Sequence, residues 1–463
     1  MAQTNGQACL YRAIWRWHFY AGLFIIPMIL ILSVTGAMYL FKPQVERWEE
    51  HAFHGLPTTG TVTPLIQRDA ALAAFPGSRF LYYRLPERPG DAALVHLELP
   101  GDGKLMRDVF VSPQGKVLGG FDPDRRAMEV VHDIHGQLML GHRGSWLVEL
   151  AASWAIVLIA TGLFLWWPKG TGLSGVLWPR FGLGRRILLR DLHAVTGFWV
   201  AGFAMILLLT GLPWAEVWGS GFKAIRTEMG WIKGEQDWTI GGRSVGSEHA
   251  AHMNGAATMQ NVDPRGPIHT GTPHAMNQPA WTSIGLDRLV AKAEAEHLAF
   301  PVIVTPPGGS GSSWTIRSDS QNRPLRVAIK YDPRDGRELS RESFGDKHVI
   351  DRIVGYGIAW HEGQLFGLAN QLIGTITALA LVTLSITGFL SWRRRKPEGR
   401  LGAPPPLLAR LDGAGIRVIA TLFLLALPMF AMSVAFLWVL DKVVLPRLPV
   451  LGRWLGVRDA AQC

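Results

Sequence analysis

The chain has 463 residues, 48% of them hydrophobic, with a mean hydropathy of +0.16, a net charge of +10 and two cysteines. That is too apolar for an ordinary soluble protein yet too mixed for lipid alone, so several membrane spans with soluble outer domains are expected. The basic residues fall in particular connections, which excludes a nucleic-acid reading in favour of membrane topology, and two cysteines provide no disulfide framework or thiolate metal site.

Residues 1–41 hold a first span, the apolar run 19–41, behind Arg12 and Arg16. It could pass for a secretory signal, but it exceeds the roughly 7–15 residues of a signal core and is read as retained. Residues 42–131 form a first outer domain, with a helix-like stretch at 64–75, strand-like runs at 80–85, 93–99 and 105–111, and a turn at Ser112-Pro-Gln-Gly-Lys. A second membrane segment, 132–168, contains the run 146–167 and the only charge inside any of these runs, Glu149. The connection 169–190 is basic, and the third span lies in 191–214.

Residues 215–360 form a second outer region. Its insertion, 233–279, is rich in Gly, Pro, Asn, His and Met, lacks apolar periodicity and reads as a mobile loop. A second domain at 280–346 repeats the first pattern, with a helix at 286–297, strands at 300–304, 314–317 and 325–331, and a turn at Asp332-Pro-Arg-Asp-Gly. A fourth membrane segment at 361–392, a basic connection at 393–415, a fifth span at 416–441 and a tail at 442–463 complete the chain.

The fold class expected is therefore a membrane all-α helical bundle, four core spans in two repeats plus a fifth, with two small α+β outer domains. The positive-inside rule places the N-terminus and both basic connections in the cytoplasm and the large loops in the periplasm of a bacterial inner membrane. The tail then falls outside, although it carries Lys442, Arg447, Arg453 and Arg458, and Cys9 and Cys463 lie on opposite sides and cannot pair.

Four histidines recur at matched spacing. His18 and His193 each precede a Thr-Gly pair by 17 positions, at Thr35-Gly36 and Thr210-Gly211. His135 and His361 each precede one by 26 positions, at Thr161-Gly162 and Thr387-Gly388. Ionisable side chains at membrane depth are costly and usually functional, and imidazole is a common axial ligand of haem iron. Gly22 and Gly197 recur as well, and suit close helix packing or a porphyrin face.

These stretches resemble the PepSY-associated transmembrane family over about residues 10–397. The marks are Trp17-His18-Phe-Tyr-Ala-Gly22, Ile134-His135-Gly-Gln-Leu-Met-Leu-Gly141, Leu192-His193-Ala-Val-Thr-Gly197 and Trp360-His361-Glu-Gly-Gln-Leu-Phe-Gly367, with the four Thr-Gly pairs and Trp392-Arg-Arg-Arg. The resemblance implies PepSY-type periplasmic domains, b-type haem, and a role like that of bacterial inner-membrane reductases in siderophore-iron uptake.

Topology suggests an inner haem held by His18 and His193 and an outer one held by His135 and His361. An unbroken helix from Trp166 would lift His135 about 46 Å, clear of the lipid, so a bend at Gly141 or Gly144 is needed. His132 and His142 are the alternative outer ligands. The function expected is a membrane oxidoreductase carrying electrons through two haem b groups to a periplasmic ferric siderophore. No catalytic side chain is assigned.

Short cytoplasmic connections leave no room for a flavin domain, so the donor is membrane quinol or a cytoplasmic reductase. Arg79, Arg84, Arg88 and Arg107 are candidate contacts for an anionic complex. One alternative is a non-enzymatic, membrane-anchored PepSY binding or inhibitory protein. Another is a haem-dependent cupric reductase using His249, His252, Met253, Met259, His269, His274 and Met276 of the insertion.

Overall fold

The computed structural model describes residues 2–101, 105–167, 173–232, 285–308, 313–404 and 414–457. The His/Met insertion at 233–279 lies outside the described residues.

Four long helices form the bundle: α1 (Ala2–Tyr39), α5 (His142–Trp166), α6 (Arg185–Gly211) and α10 (Leu368–Arg395). All four are long and apolar enough to cross a membrane. Helices α1 and α6 each pack against both α5 and α10. Between them in the chain come the shorter helices α2 (Lys42–Glu49), α3 (Pro64–Ala74), α4 (Ala127–Gln137), α7 (Glu216–Glu228), α8 (Leu286–Ala295) and α9 (Val349–His361).

The bend expected before the second span is present. Helix α4 stops at Gln137, Leu138 and Met139 take φ of 52° and 57°, and Gly141 at φ +58° starts α5. Gly144 also sits against the Gln137 carbonyl, where an added Cβ would lie at 1.7 Å, so no larger residue fits this corner. Gly367, at φ +57°, makes the matching start of α10. Glu149 has a local explanation: its carboxylate accepts the Val217 and Trp218 N–H groups at 2.8 and 3.1 Å, satisfying the otherwise unpaired first turn of α7.

The outer strands depart from expectation. Rather than two separate domains, they make one antiparallel sheet of eight strands in the order β4-β3-β2-β1-β5-β6-β7-β8. The first half comprises β1 (Arg79–Arg84), β2 (Ala93–Glu98), β3 (Met106–Val111) and β4 (Val117–Phe121). The second comprises β5 (Val302–Thr305), β6 (Trp314–Ser318), β7 (Val327–Tyr331) and β8 (Glu338–Ser343). They join where Tyr83 and Arg84 pair with Val304 and Ile303.

Alternation decides which face each residue takes. Val95, Leu97, Val109, Val304 and Ile316 pack under α3 and α8 with Leu286 and Leu289 in one core shared by both halves. Tyr82, Arg84, Leu94, His96 and Asp108 point the other way, toward the bundle.

A fifth stretch long and apolar enough to cross a membrane is present at Pro428–Arg447, but the segment read as one span at 416–441 is broken. It divides at Leu427 into α11 (Ala414–Ala426) and α12 (Pro428–Val439), because Pro428 lacks the N–H that would continue α11. Ala426 accepts the Trp218 indole N–H at the sheet-bearing end of the bundle. The chain then returns, and after α13 (Pro449–Leu455) the Leu455 and Gly456 carbonyls accept from Tyr20 and Arg16 at the opposite end. The tail therefore lies at the same end as the N-terminus, which corrects the expectation of an outer tail. It also gathers Arg447 and Arg453 with the other basic ends. Cys9 is in a disulfide, against expectation, and Cys463 lies outside the described residues.

Glu50 ties sheet to helices, with Arg84 at 2.7 Å and Arg126 at 2.9 Å. Burial pushes its carboxyl up, but the two guanidinium groups outweigh burial and hold it below the usual range. Asp108 is lowered too, by the His96 hydrogen bond against the effect of burial. A carboxyl with a depressed folded pKa contributes stability that is present above its unfolded pKa, about 4, and lost as pH falls through the folded value. Thermal unfolding in detergent should thus stay flat from pH 7 to 5 and fall as pH drops below about 4. Glu50→Gln should lower the neutral-pH midpoint and flatten that drop; an unchanged acid limb would refute this assignment.

Candidate functional site

Helix α1 carries His18 near its middle and Thr35 near its C-terminal end, and α6 carries His193 in its first third and Thr210 at its end. Seventeen residues of helix separate the two levels by about 25 Å. At the first level His18 faces His193, ring centres 6.5 Å apart. At the second, beside the sheet, His135 at the end of α4 faces His361 at the end of α9, ring centres 6.2 Å apart. Two imidazoles bound through one nitrogen to opposite sides of a metal, at about 2 Å each, place their ring centres about 6 Å apart.

Each histidine is held by one of the Thr-Gly pairs. His18 Nδ1 meets Thr161 Oγ1 at 2.9 Å and His193 Nδ1 meets Thr387 Oγ1 at 3.2 Å. His135 Nδ1 meets Thr35 at 3.1 Å, and His361 Nδ1 meets Thr210 at 3.2 Å. All four threonine hydroxyls already donate to the carbonyl four residues back, at 2.7–2.8 Å. A hydroxyl has one proton, so each Oγ1 accepts from an imidazole Nδ1–H. The Leu384 and Leu207 carbonyls, which can only accept, draw the same proton from His193 and His361 at 3.1 and 2.9 Å. All four rings are therefore Nδ1–H tautomers, leaving the Nε2 lone pair as the metal-binding atom.

The glycine after each threonine makes room for the ring. A Cβ at Gly36, Gly162, Gly211 or Gly388 would lie 3.0–3.3 Å from Cε1 of the histidine it faces. Both threonine and glycine come from the same half of the chain as the histidine they hold, whereas each facing pair draws one histidine from each half.

From the His135–His361 level a cavity of 660 Å³ runs up to the sheet. Its lower part is apolar and lined by small residues, among them Gly36, Ala37, Ala204, Gly211 and Ala378, and its upper part is polar. The nitrogen donors and the slot of small residues fit a haem at this level, and the same Thr-Gly cradle is present at the other.

His132 lies 5.5 Å from the Tyr39 ring and His142 pairs with Glu216 at 3.3 Å, so the ring facing His361 is that of His135. Among the described residues no cluster of three or more His, Cys, Asp or Glu suits a metal ion. Of the arginines expected to meet an anionic complex, only Arg84 lines the cavity, and Glu50 takes its charge. Arg79 pairs with Glu98 away from it, Arg88 lines a separate 410 Å³ cavity, and Arg107 lies beside Gly120. The roles of Thr35, Thr161, Thr210 and Thr387 escaped sequence reasoning, although the recurring Thr-Gly pairs were the signal.

Together these features define a multi-pass membrane protein with two facing histidine pairs and an antiparallel sheet at one end of its bundle. The chain belongs to the PepSY-associated TM region family, whose model matches residues 15–395. No curated protein matches it. Helices α11 to α13 lie beyond the matched region.

Proposed function

We propose that this protein is a di-haem electron-transfer oxidoreductase of a bacterial inner membrane that reduces a ferric complex, of the siderophore kind, on the periplasmic side. The observation that carries this reading is that four histidines, each hydrogen-bonded through Nδ1 to a threonine, face one another in two pairs with ring centres 6.5 and 6.2 Å apart. His18 and His193 would hold one haem b, and His135 and His361 the other. Haem b at each level would supply a one-electron couple.

The chain's residues do the positioning. Threonines orient the rings, glycines admit them, and the bends at Gly141 and Gly367 bring α5 and α10 back under the sheet. Orientation follows from charge: Arg12, Arg16, Arg393, Arg394, Arg395 and the returned tail mark the cytoplasmic end, and the sheet faces the periplasm. In this arrangement the two halves are repeats related by a pseudo-twofold axis through the facing histidines. The histidine pair at the basic end would serve the donor, quinol or a partner reductase, and the pair beneath the sheet would serve the acceptor in the cavity.

The absorbance spectrum of the purified protein tests this. Paired α and β bands with a sharpened Soret band on dithionite, at two haems per chain, are expected. A colourless preparation after haem-replete expression would refute the reading and leave the sheet as a binding domain.

A further inference from the structure

The polar half of the cavity carries more acid than base. Nine carboxylates line it against six lysine and arginine side chains. All six cations are ion-paired, from Arg84–Glu50 at 2.7 Å to Arg326–Asp319 at 3.8 Å. On the acidic side, one oxygen each of Asp91, Glu129 and Glu362 is buried without a hydrogen-bond partner, in residues only 5%, 5% and 8% exposed. Asn322 Oδ1 is a further acceptor in that state. Arg126 Nη2 is a buried donor in the same condition, and His54 Nδ1 lies 2.9 Å from Asp91 Oδ1, so the decision rests on the excess of carboxylates over lysine and arginine side chains.

Buried charge is costly unless it is compensated, and charges interact strongly where water is sparse. A polyanion entering here adds to an excess that the protein leaves uncompensated. A ligand with N–H or ammonium groups relieves it.

We propose that the cavity selects metal chelates by charge, admitting neutral or cationic complexes and turning polyanionic ones away. This rests on the reading that a ferric complex is the acceptor, and it narrows the class. Three hydroxamates cancel the charge of Fe(III), and a pendant ammonium makes the complex cationic. Three catecholates leave it strongly anionic. The expectation of arginine contacts to an anionic complex gives way to carboxylate contacts to a neutral or cationic one.

The test uses one linear trihydroxamate whose free amine is left as ammonium, acetylated or succinylated, giving complexes of net charge plus one, zero and minus one. Gallium(III) replaces iron, so no electron moves, and binding to the full-length protein in detergent is read by calorimetry at neutral pH. Affinity should fall by about tenfold at each step toward negative charge. Asp91→Asn and Glu129→Gln should compress that spread, while the series on the unaltered protein decides the matter without them. Equal affinities, a reversed order, or no binding by any of the three would overturn the proposal. The expected order in a protein that fails to reduce the ferric forms would leave charge selection standing and sink the electron-transfer reading alone.

Discussion

In the proposed di-haem arrangement, replacing His18 with alanine should remove one haem and leave the other, and His193→Ala should remove that same one. With ring centres 6.5 Å apart these two residues would form a single site, so losing either should empty it. The double variant should consequently lose no more than either single one, with the reduced α band near half height in all three. His135→Ala and His361→Ala should behave alike for the other haem, and combining one change from each pair should leave none. His132→Ala should keep both. Equal and overlapping losses for His18 and His361 would mean that the ligands pair across levels, against the geometry.

The glycines provide a second, independent division of the same spectrum. Gly36→Val or Gly211→Val places a branched side chain where a Cβ alone would already lie 3.0 or 3.2 Å from Cε1 of His135 or His361. Helix backbone cannot move away, so the ring must, and the haem beside the sheet should be lost. Gly162→Val or Gly388→Val should empty only the other level. Thr35→Val is the milder control: it removes the acceptor for Nδ1–H but leaves the space, and loss of such an outer hydrogen bond typically weakens metal binding about 10- to 100-fold. Loss of both haems in any single glycine variant would point to general misfolding and refute the local account.

Much of this architecture can be read from the chain. Four spans, the histidine pairing and the bend at Gly141 follow from apolar runs, matched spacing and the 1.5 Å helical rise. What escapes is non-local. Strand β4 reads as Val-Leu-Gly-Gly-Phe, where paired glycines weaken any strand signal, and β8 is polar and lies at the sheet edge, so neither shows the alternation of a half-buried strand. The β1–β5 join has no local signature, since nothing in Tyr83 or Val304 names its partner.

The break at Leu427–Pro428 was legible as a proline inside an apolar run, but the return of the chain depends on Trp218 and Tyr20, far away in sequence. The acidity of the cavity was hidden for the same reason. Overall charge is positive, and only folding brings Asp91, Glu129 and Glu362 to one chamber while pairing off the arginines.

The β1–β5 ladder also governs traffic. Because both halves of the sheet share one ladder and one core, the roof over the cavity is a single plate without a seam. Parting it would tear backbone hydrogen bonds and expose Leu286 and Leu289 together with Val95 and Val304. Any ligand of the cavity would therefore arrive around the rim, past the connections that join plate to bundle. The way in is set by those connections, not by the strands themselves.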